Sequence, residues 1–280
     1  MSKKKPAKII GVCTMAIMIT IAITILPSCD STTPALVTGE CTDPTVNSLT
    51  AHATVDRLEA GSLSRRGFVF AEGTAGDPAF NITPLVNPSF ELEDPPTGWT
   101  AFDGVLVKST EQVKWGNYSG KLTQSATGTR AFIGQTIPNL SEYWGKTITL
   151  GAWVWCDTPD RARVALADRV DGDWGLSYSS YHPGDAEWHF LTVTRAIRTN
   201  PDASWVQPLR IGGGASIISA YADGAILVEN AVFEDGEFDT GSYSLIITGL
   251  KPDTSYRVRA FVENEAGISY GNTVTCKTLG

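Results

Sequence analysis

The chain has 280 residues, of which 42% are hydrophobic and 19% are charged, and its formal net charge is −8. The length allows two domains that each bury a core, and the composition excludes an intrinsically disordered chain. The acidic balance argues against a nucleic-acid partner, because proteins that bind nucleic acids present basic surfaces to the phosphates.

The N-terminal segment has the layout of an export signal. Lysines crowd the first eight residues, and an apolar run follows from Ile9 to Leu26 before the sequence turns polar at Asp30. A basic segment followed by an apolar one predicts that the chain is exported. The alternative is an uncleaved membrane anchor, since an apolar run of about 18 residues just spans a bilayer.

The tetrapeptide Leu-Pro-Ser-Cys at Leu26–Cys29 resembles the lipobox of bacterial lipoproteins, although proline is an unusual residue in its second position. The resemblance implies that residues 1–28 are a signal peptide and that a diacylglyceryl group is attached to the sulfur of Cys29. Residues 29–36 would then be a tether. We therefore expect a protein of the bacterial cell envelope that is held to a membrane by its N-terminal lipid.

Strand patterns flank the middle of the chain. Apolar residues alternate with polar ones from Leu49 to Val55, and a second strand pattern covers Arg66–Phe70. Such alternation is typical of strands with one buried face. These strands end at the Gly-Asp-Pro turn of residues 76–78, too early for a complete sandwich, and comparable patterns reappear from Ser242 onward.

The run Gly249–Tyr256, of the form Gly-Leu-x-Pro-x-Thr-x-Tyr, is followed by Val-Arg-Ala and Asn-x-Ala-Gly motifs. This order resembles the second half of a fibronectin type III domain. The resemblance implies a sandwich with a tyrosine corner, in which the Tyr256 ring is buried and its hydroxyl bonds back to the preceding turn. It also implies one discontinuous domain made of residues 37–79 and 234–280. The first part departs from the animal pattern because its second strand has no tryptophan.

Cys41 lies in the first part of this implied domain and Cys276 in the second. If the two parts unite, the cysteines become neighbours, and we predict a disulfide between them because an exported chain can oxidise its thiols. Cys156 has no evident partner, so we expect it to be a small buried side chain.

The middle of the chain has the most regular strand pattern. Alternate residues from Ile148 to Cys156 are apolar, and aliphatic alternation recurs at residues 162–166 and 191–197. Strands with one aliphatic face predict a two-layer β-sandwich. Together with the strand patterns at both ends, this predicts an all-β chain: a discontinuous fibronectin type III-like sandwich with a second sandwich inserted in it.

Short motifs in residues 80–233 resemble the jelly-roll carbohydrate-binding modules of the galactose-binding-like superfold. They are Asn-Pro-x-Phe-Glu at 87–91, Gly-Trp at 98–99, Tyr-Ser-x-Lys-Leu at 118–122, Trp-x-x-Leu-Thr-Val-Thr at 188–194 and Tyr-x-Asp-x-x-x-Leu-Val-Glu at 221–229. The resemblance implies that the inserted sandwich is a jelly roll that binds carbohydrate.

The same resemblance implies a structural Ca²⁺ where the first and last strands of the module meet. Glu91 and Asp223 occupy the acidic positions of the family motifs, and backbone carbonyls would complete the oxygen shell that Ca²⁺ prefers. The alternative is that Glu91 ends a solvated strand and that Asp223 lies in a turn.

Surfaces that bind sugars combine aromatic platforms with planar or charged hydrogen-bonding groups. Trp153 and Trp155 are two residues apart on one predicted strand and would stand about 7 Å apart on the same side. Arg163, on the following strand, has the parity to join them. The predicted ligand-binding residues are Trp153, Trp155, Arg163, Trp174, Tyr178, Tyr181 and His182. The alternative is that one of the two tryptophans packs beneath a loop or against the other sandwich.

No residue pattern typical of an enzyme is present in the sequence. The three histidines show neither metal-ligand spacing nor the context of a catalytic triad, and the acidic segment Asp168–Asp173 is predicted to be a solvated hairpin. We therefore predict a non-catalytic binding protein whose partner is a glycan. The alternative is a structural or protein–protein interaction module, such as an adhesin or an envelope or phage-derived component.

Overall fold

The computed structural model describes residues 34–58 and 61–280, so the predicted signal peptide and Cys29 lie outside the described residues. Within those two ranges the structure contains strands and one short 3₁₀ helix at Leu140–Tyr143, which confirms the all-β prediction. None of the helical structure described there has the length and apolar character needed to cross a membrane.

The strands, numbered in chain order, are β1 (Ala35–Thr38), β2 (Ser48–Arg57), β3 (Leu63–Glu72), β4 (Asn81–Thr83), β5 (Thr100–Phe102), β6 (Gly104–Ser109), β7 (Ser119–Gln124), β8 (Ala131–Gln135), β9 (Thr147–Trp155), β10 (Ala162–Val170), β11 (Asp173–Tyr178), β12 (Trp188–Ala196), β13 (Ala203–Ile211), β14 (Ser219–Glu229), β15 (Ala231–Phe238), β16 (Gly241–Thr248), β17 (Ser255–Asn264) and β18 (Gly267–Lys277).

Strands from the two ends of the described chain form one pair of sheets, which we call the terminal sandwich. One sheet has the order β1-β2-β16 and the other the order β15-β3-β17-β18. Antiparallel pairing places Leu49 of β2 opposite Ile247 of β16, and Phe70 of β3 opposite Val258 of β17. Side chains from both ends fill one core, because alternate residues of β2 point into it.

Tyr256, near the start of β17, belongs to this core. Its ring is buried, and the backbone N–H of Lys251 donates a hydrogen bond of 2.8 Å to its hydroxyl oxygen. This is the contact that a tyrosine corner makes with the preceding turn. Membership of the fibronectin type III family stays a prediction.

Two boundaries differ from those predicted. Strand β1 begins at Ala35, so residues 35 and 36 belong to a sheet and not to a tether. Strand β15 begins at Ala231, so residues 231–233 pair with β3 and not with the inserted module. The sequence pattern conceals this second boundary because the apolar run continues through Asn230, whose positive φ of 48° turns the chain between β14 and β15.

Residues 81–229 form the second pair of sheets, which we call the inserted sandwich. One sheet has five strands in the order β11-β10-β13-β8-β5, and the other has six strands, β12-β9-β14-β7-β6 together with β4 beside β14. The predicted aliphatic face of β9 lies in the core between the sheets, and Cys156 is buried there as a free thiol. Burial raises the pKa of that thiol.

A cluster of aromatic rings joins the two sandwiches. Phe80 packs edge-on against Phe233 of β15, with ring centroids 5.5 Å apart, and lies 4.4 Å from Phe261 of β17. Phe190 of the inserted sandwich approaches Phe233 to 5.9 Å. The outer face of the six-stranded sheet is therefore packed against the terminal sandwich.

The prediction that the acidic segment Asp168–Asp173 is a solvated hairpin is wrong at Asp168, because the side chain of this residue is completely buried. Arg195 and Arg198 each donate to Oδ1 of Asp168 at 2.7 Å. Although burial acts to raise the pKa of Asp168, these hydrogen bonds hold it below its ordinary value. The contacts attach the β10–β11 hairpin to β12 in the opposite sheet.

We expect Asp168→Asn to lower the free energy of unfolding by about 3 kcal/mol at pH 7, because it leaves two arginines without their buried partner. The folded pKa lies below the unfolded one, so this stabilisation is complete above the unfolded pKa and is lost as the pH falls through the folded pKa. Urea unfolding at pH 7 and near pH 3 measures both effects. Asp173→Asn removes an exposed partner of Arg198 and is the control; an equal loss in both variants would contradict the prediction.

A disulfide joins Cys41 to Cys276, whose Cα atoms are 5.9 Å apart and which are separated by 235 residues in sequence. We expect the non-reduced protein to resist alkylation at both positions. Closing so long a loop restricts the unfolded chain, so the double variant Cys41→Ser/Cys276→Ser should lose up to about 5 kcal/mol of stability. Reductant should not destabilise that variant further. Two freely alkylated thiols in the non-reduced protein would contradict the bond.

Candidate functional site

The outer face of the five-stranded sheet carries large aromatic and basic side chains. The apolar residues Ala162, Val164 and Leu166 of β10 point into the core, so Arg163 of the same strand points outward. Antiparallel register places Arg163 opposite Arg210 of β13, and Arg210 opposite Phe132 of β8.

Phe102 of β5 extends this row, because it lies opposite Phe132 and their rings stack with centroids 4.4 Å apart. Adjacent strands are about 4.8 Å apart, so the four side chains form a row roughly 14 Å long across the sheet. Trp205 stands beside the row, edge-on to Phe102 at 5.0 Å. A Cβ atom at Gly134 would come within 2.8 Å of the Trp205 ring, so glycine is what allows the indole to lie against the sheet.

Two tyrosines end the row at the opposite edge. The guanidinium carbon of Arg163 lies 3.5 Å from the centroid of the Tyr178 ring and 4.5 Å from that of Tyr181. Both rings are 39% exposed. Tyr178 lies opposite Ala165 in the β10–β11 hairpin, on the same face as Arg163. A positive charge held against two ring faces in this way is a cation–π arrangement.

Arg210 is the most enclosed basic group of the row, with 9% of its surface exposed. It donates from Nη1 to the side-chain oxygen of Gln207 at 3.0 Å. Burial lowers the pKa of Arg210, and the positive charges of Arg163 and Arg130 act in the same direction. We call this surface the aromatic–arginine face; its residues are Phe102, Phe132, Arg163, Tyr178, Tyr181, Trp205 and Arg210.

Three of the predicted ligand-binding residues, Arg163, Tyr178 and Tyr181, lie together on this face. Trp174 lies on the same side of β11 as Tyr178, four residues away, where its ring contacts Arg169 at 5.3 Å. It belongs to the far end of the hairpin and not to the row.

Trp153 and Trp155 do not join Arg163, so that part of the prediction is wrong. They lie on β9, which pairs with β12 and β14 in the six-stranded sheet, whereas Arg163 lies on β10 in the five-stranded sheet. The prediction that Arg163 joins the tryptophans assumes that the two consecutive strands β9 and β10 pair as a hairpin. The connection from β9 to β10 instead crosses from one sheet to the other, so the outer faces of the two strands point in opposite directions.

Trp153 packs at the junction of the two sandwiches, as the alternative reading has it. It is 8% exposed, and its ring lies 5.5 Å from that of Phe190 and 3.8 Å from Nζ of Lys114. It borders a cavity of about 460 Å³ that Arg65 of the terminal sandwich also lines. Trp155 is half-buried and packs edge-on against Tyr221 at 5.3 Å.

His182 is completely buried and does not form the wall of a cleft, contrary to the prediction. Its Nδ1 accepts a hydrogen bond from the backbone N–H of Gly184, and Nε2 lies 3.0 Å from the carbonyl oxygen of Glu187. Side-chain atoms of His182, Asp185 and His189 lie within 4.8 Å of one another. Both ring nitrogens of His182 have backbone partners, so this side chain stabilises the turn that contains Gly184 and Glu187.

Asp223 is buried on β14, and its hydrogen-bond donors within the described part of the chain are backbone N–H groups. Lys114 and Trp115 donate to Oδ2 at 3.1 and 2.9 Å, and Gly224 donates to Oδ1 at 2.7 Å. Burial raises the pKa of Asp223 to about 6, and the negative charge of Glu91 contributes in the same direction.

Glu91 binds the C-terminal end of the segment of residues 114–118, whose first two N–H groups bind Asp223. Its Oε1 accepts hydrogen bonds from the backbone N–H groups of Asn117 and Tyr118 at 2.8 and 3.0 Å. Among the described residues, neither Glu91 nor Asp223 forms an ion pair with a basic side chain. Two carboxylates without an ion-pair partner among the described residues fit the donor set of Ca²⁺. The backbone donors occupy part of their oxygen surface.

Four residues of the aromatic–arginine face were not predicted from the sequence: Phe102, Phe132, Trp205 and Arg210. Phe102 and Phe132 lie on short strands of three and five residues, which give little alternation to detect. On β13 the register shifts between Val206 and Leu209. This irregularity brings Trp205 and Arg210 to one face although their numbers differ by an odd interval.

No protein-family model matches the sequence, and a search of curated proteins finds no match. Solved structures resemble the chain over about half its length. The CBM22-1 xylan-binding domain of Xyn10C from Paenibacillus barcinonensis is 16% identical, with a TM-score of 0.43, and the match covers 55% of this chain and 98% of that domain.

A Family 16 carbohydrate-binding module is 19% identical with a TM-score of 0.41, and the match covers 51% of this chain and 98% of that module. TmCBM61, solved in complex with β-1,4-galactotriose, is 16% identical with a TM-score of 0.36, covering 51% of this chain and 95% of that one. These structure neighbours are carbohydrate-binding modules with a jelly-roll β-sandwich. Because the likenesses are partial and of low identity, they do not assign a ligand to this chain.

Proposed function

We propose that this chain is a non-catalytic glycan-binding protein and that the aromatic–arginine face holds the sugar. The observation that supports this is the row of aromatic rings and guanidinium groups across four adjacent strands, from Phe102 to Arg163. The phenylalanines and Trp205 are partly exposed, and the two tyrosines at the end of the row more so.

The chemistry of the face suits a sugar ring. The C–H face of a sugar packs against an aromatic ring, while its hydroxyls accept hydrogen bonds from planar donors. Arg163 supplies such donors next to Tyr178, and Arg210 and Gln207 supply them next to Phe132. Strands hold these groups in fixed positions, which lowers the entropy lost on binding.

The proposed location of the protein is the bacterial cell envelope, with a lipid on Cys29 as the lipobox resemblance implies. The bond between Cys41 and Cys276 supports export, because disulfides persist in oxidising compartments. In this proposal the terminal sandwich, with its fibronectin type III-like tyrosine corner, is the mount that carries the inserted sandwich away from the membrane.

Replacing Trp205 by alanine should weaken glycan binding by roughly thirtyfold, because a central aromatic contact contributes about 2 kcal/mol. A glycan array identifies the ligand, and titration calorimetry measures the affinities. Trp155→Ala removes the same side chain from the opposite sheet and should bind as wild type does. If the folded wild type binds no glycan, the structural or protein–protein interaction module becomes the better proposal.

We also propose that Glu91 and Asp223 bind a structural Ca²⁺ through their carboxylate oxygens. The support is the buried Asp223 carboxylate, which has neutral hydrogen-bond donors and a negative neighbour but no basic partner among the described side chains. When bound, the ion would supply the missing positive charge. It would also hold the segment of residues 114–118 to β14.

Removal of Ca²⁺ with EDTA should therefore lower the melting temperature, and Ca²⁺ at about 100 times its Kd should restore about 3 kcal/mol, equivalent to some 5–10 °C. Glu91→Gln keeps an acceptor for the two backbone N–H groups but should abolish the response to Ca²⁺. Asp171→Asn, at an exposed acidic position, should respond like wild type. The same midpoint in EDTA and in excess Ca²⁺ would remove the site.

A further inference from the structure

The aromatic–arginine face carries positive charge that no carboxylate of the described residues neutralises. Among the described residues, no carboxylate lies within ion-pair distance of Arg130, Arg163 or Arg210. By contrast, six other arginines of the described chain pair with carboxylates: Arg65, Arg66, Arg169, Arg195, Arg198 and Arg259. The contrast is informative because the protein has a formal net charge of −8, so acidic side chains are plentiful.

The lack of a carboxylate partner within the described chain destabilises the fold most at Arg210. It is more than nine-tenths buried, and the partner of its guanidinium is the neutral amide of Gln207. Arg163 lies directly opposite it on the adjacent strand, and like charges in that position destabilise a sheet. Burial of a charge without a counter-ion is unfavourable, so the face is complementary to a group that brings negative charge with it.

We propose that the glycan bound at this face is anionic, and that its carboxylates or sulfates pair with Arg163 and Arg210. This inference rests on the glycan-binding function proposed above. Guanidinium groups form two parallel hydrogen bonds to a carboxylate or sulfate, which a sugar hydroxyl cannot match. The neighbouring rings of Phe132 and Tyr178 are placed to cover the sugar ring that carries the acid.

The three arginines differ in exposure in a way that suits such a ligand. Arg130 is exposed, Arg163 is half-buried and Arg210 is buried. Exposed charge increases the rate of encounter with an oppositely charged polymer and is screened by salt, whereas buried charge contributes to the bound complex. Arg130 therefore attracts the anion, and Arg163 and Arg210 hold it.

The test uses the full-length chain and pairs of ligands that share a sugar backbone, of which one member carries the anionic group and the other has it blocked or removed. Trigalacturonate is compared with its methyl ester, and sulfated κ-carrageenan oligosaccharides with their desulfated forms; β-1,4-galactotriose is an uncharged reference. Calorimetry should show at least tenfold tighter binding of an anionic member than of its uncharged partner, because hydrogen bonds to charged groups are stronger than those between neutral groups. Raising NaCl from about 50 to about 500 mM should reduce that preference. The two pairs distinguish carboxylate from sulfate.

Arg163→Gln should reduce the preference for the anionic ligand about tenfold and should weaken the binding of uncharged glycans less, because glutamine still donates hydrogen bonds to sugar hydroxyls but carries no charge. Arg169→Gln is the matched control, because Arg169 lies on the same face of β10 but already pairs with Asp202. Equal affinity for charged and uncharged members would overturn the anionic ligand and leave glycan binding intact. Failure of the folded protein to bind any of these glycans would overturn both proposals.

Discussion

The pairing of β3 with β17 is the contact on which the rest of the structure depends. It joins residues near the two ends of the described chain, as where Phe70 lies opposite Val258. Because β15 pairs with the other edge of β3, both connections to the inserted sandwich leave from the same sheet. The Cys41–Cys276 bond reinforces this closure, because Cys276 lies opposite Tyr256 of β17, two residues from Val258.

This closure decides which face of the inserted sandwich is available for a ligand. The six-stranded sheet turns Trp153 and Phe190 toward the terminal sandwich, where Phe233 contacts Phe190. Lys114 of the inserted sandwich packs over the Trp153 ring. Aromatic side chains on that sheet therefore contribute packing energy at the junction. The five-stranded sheet faces away from it, so the aromatic and basic side chains on its outer face can meet a partner.

The distribution of charge follows the same division. Asp168 is buried between Arg195 and Arg198, and Arg65 lies between two carboxylates of the terminal sandwich. These arginines hold strands together. Arg163 and Arg210 contact aromatic rings instead. An acidic protein that keeps arginines without carboxylate partners on one aromatic surface has local positive charge there, opposite in sign to its net charge.

The amino-acid sequence by itself determined the all-β class, the buried faces of β2 and β9 and the corner at Tyr256, because these depend on local periodicity and on one short motif. The tertiary structure alone decided that β9 and β10 belong to opposite sheets, so Trp153 and Arg163 lie on opposite outer faces of the inserted sandwich. It also brought Arg210 into register with Phe132 through the irregularity in β13. Alternation along a strand shows which residues share a face, but the choice of neighbouring strand depends on contacts between distant parts of the chain.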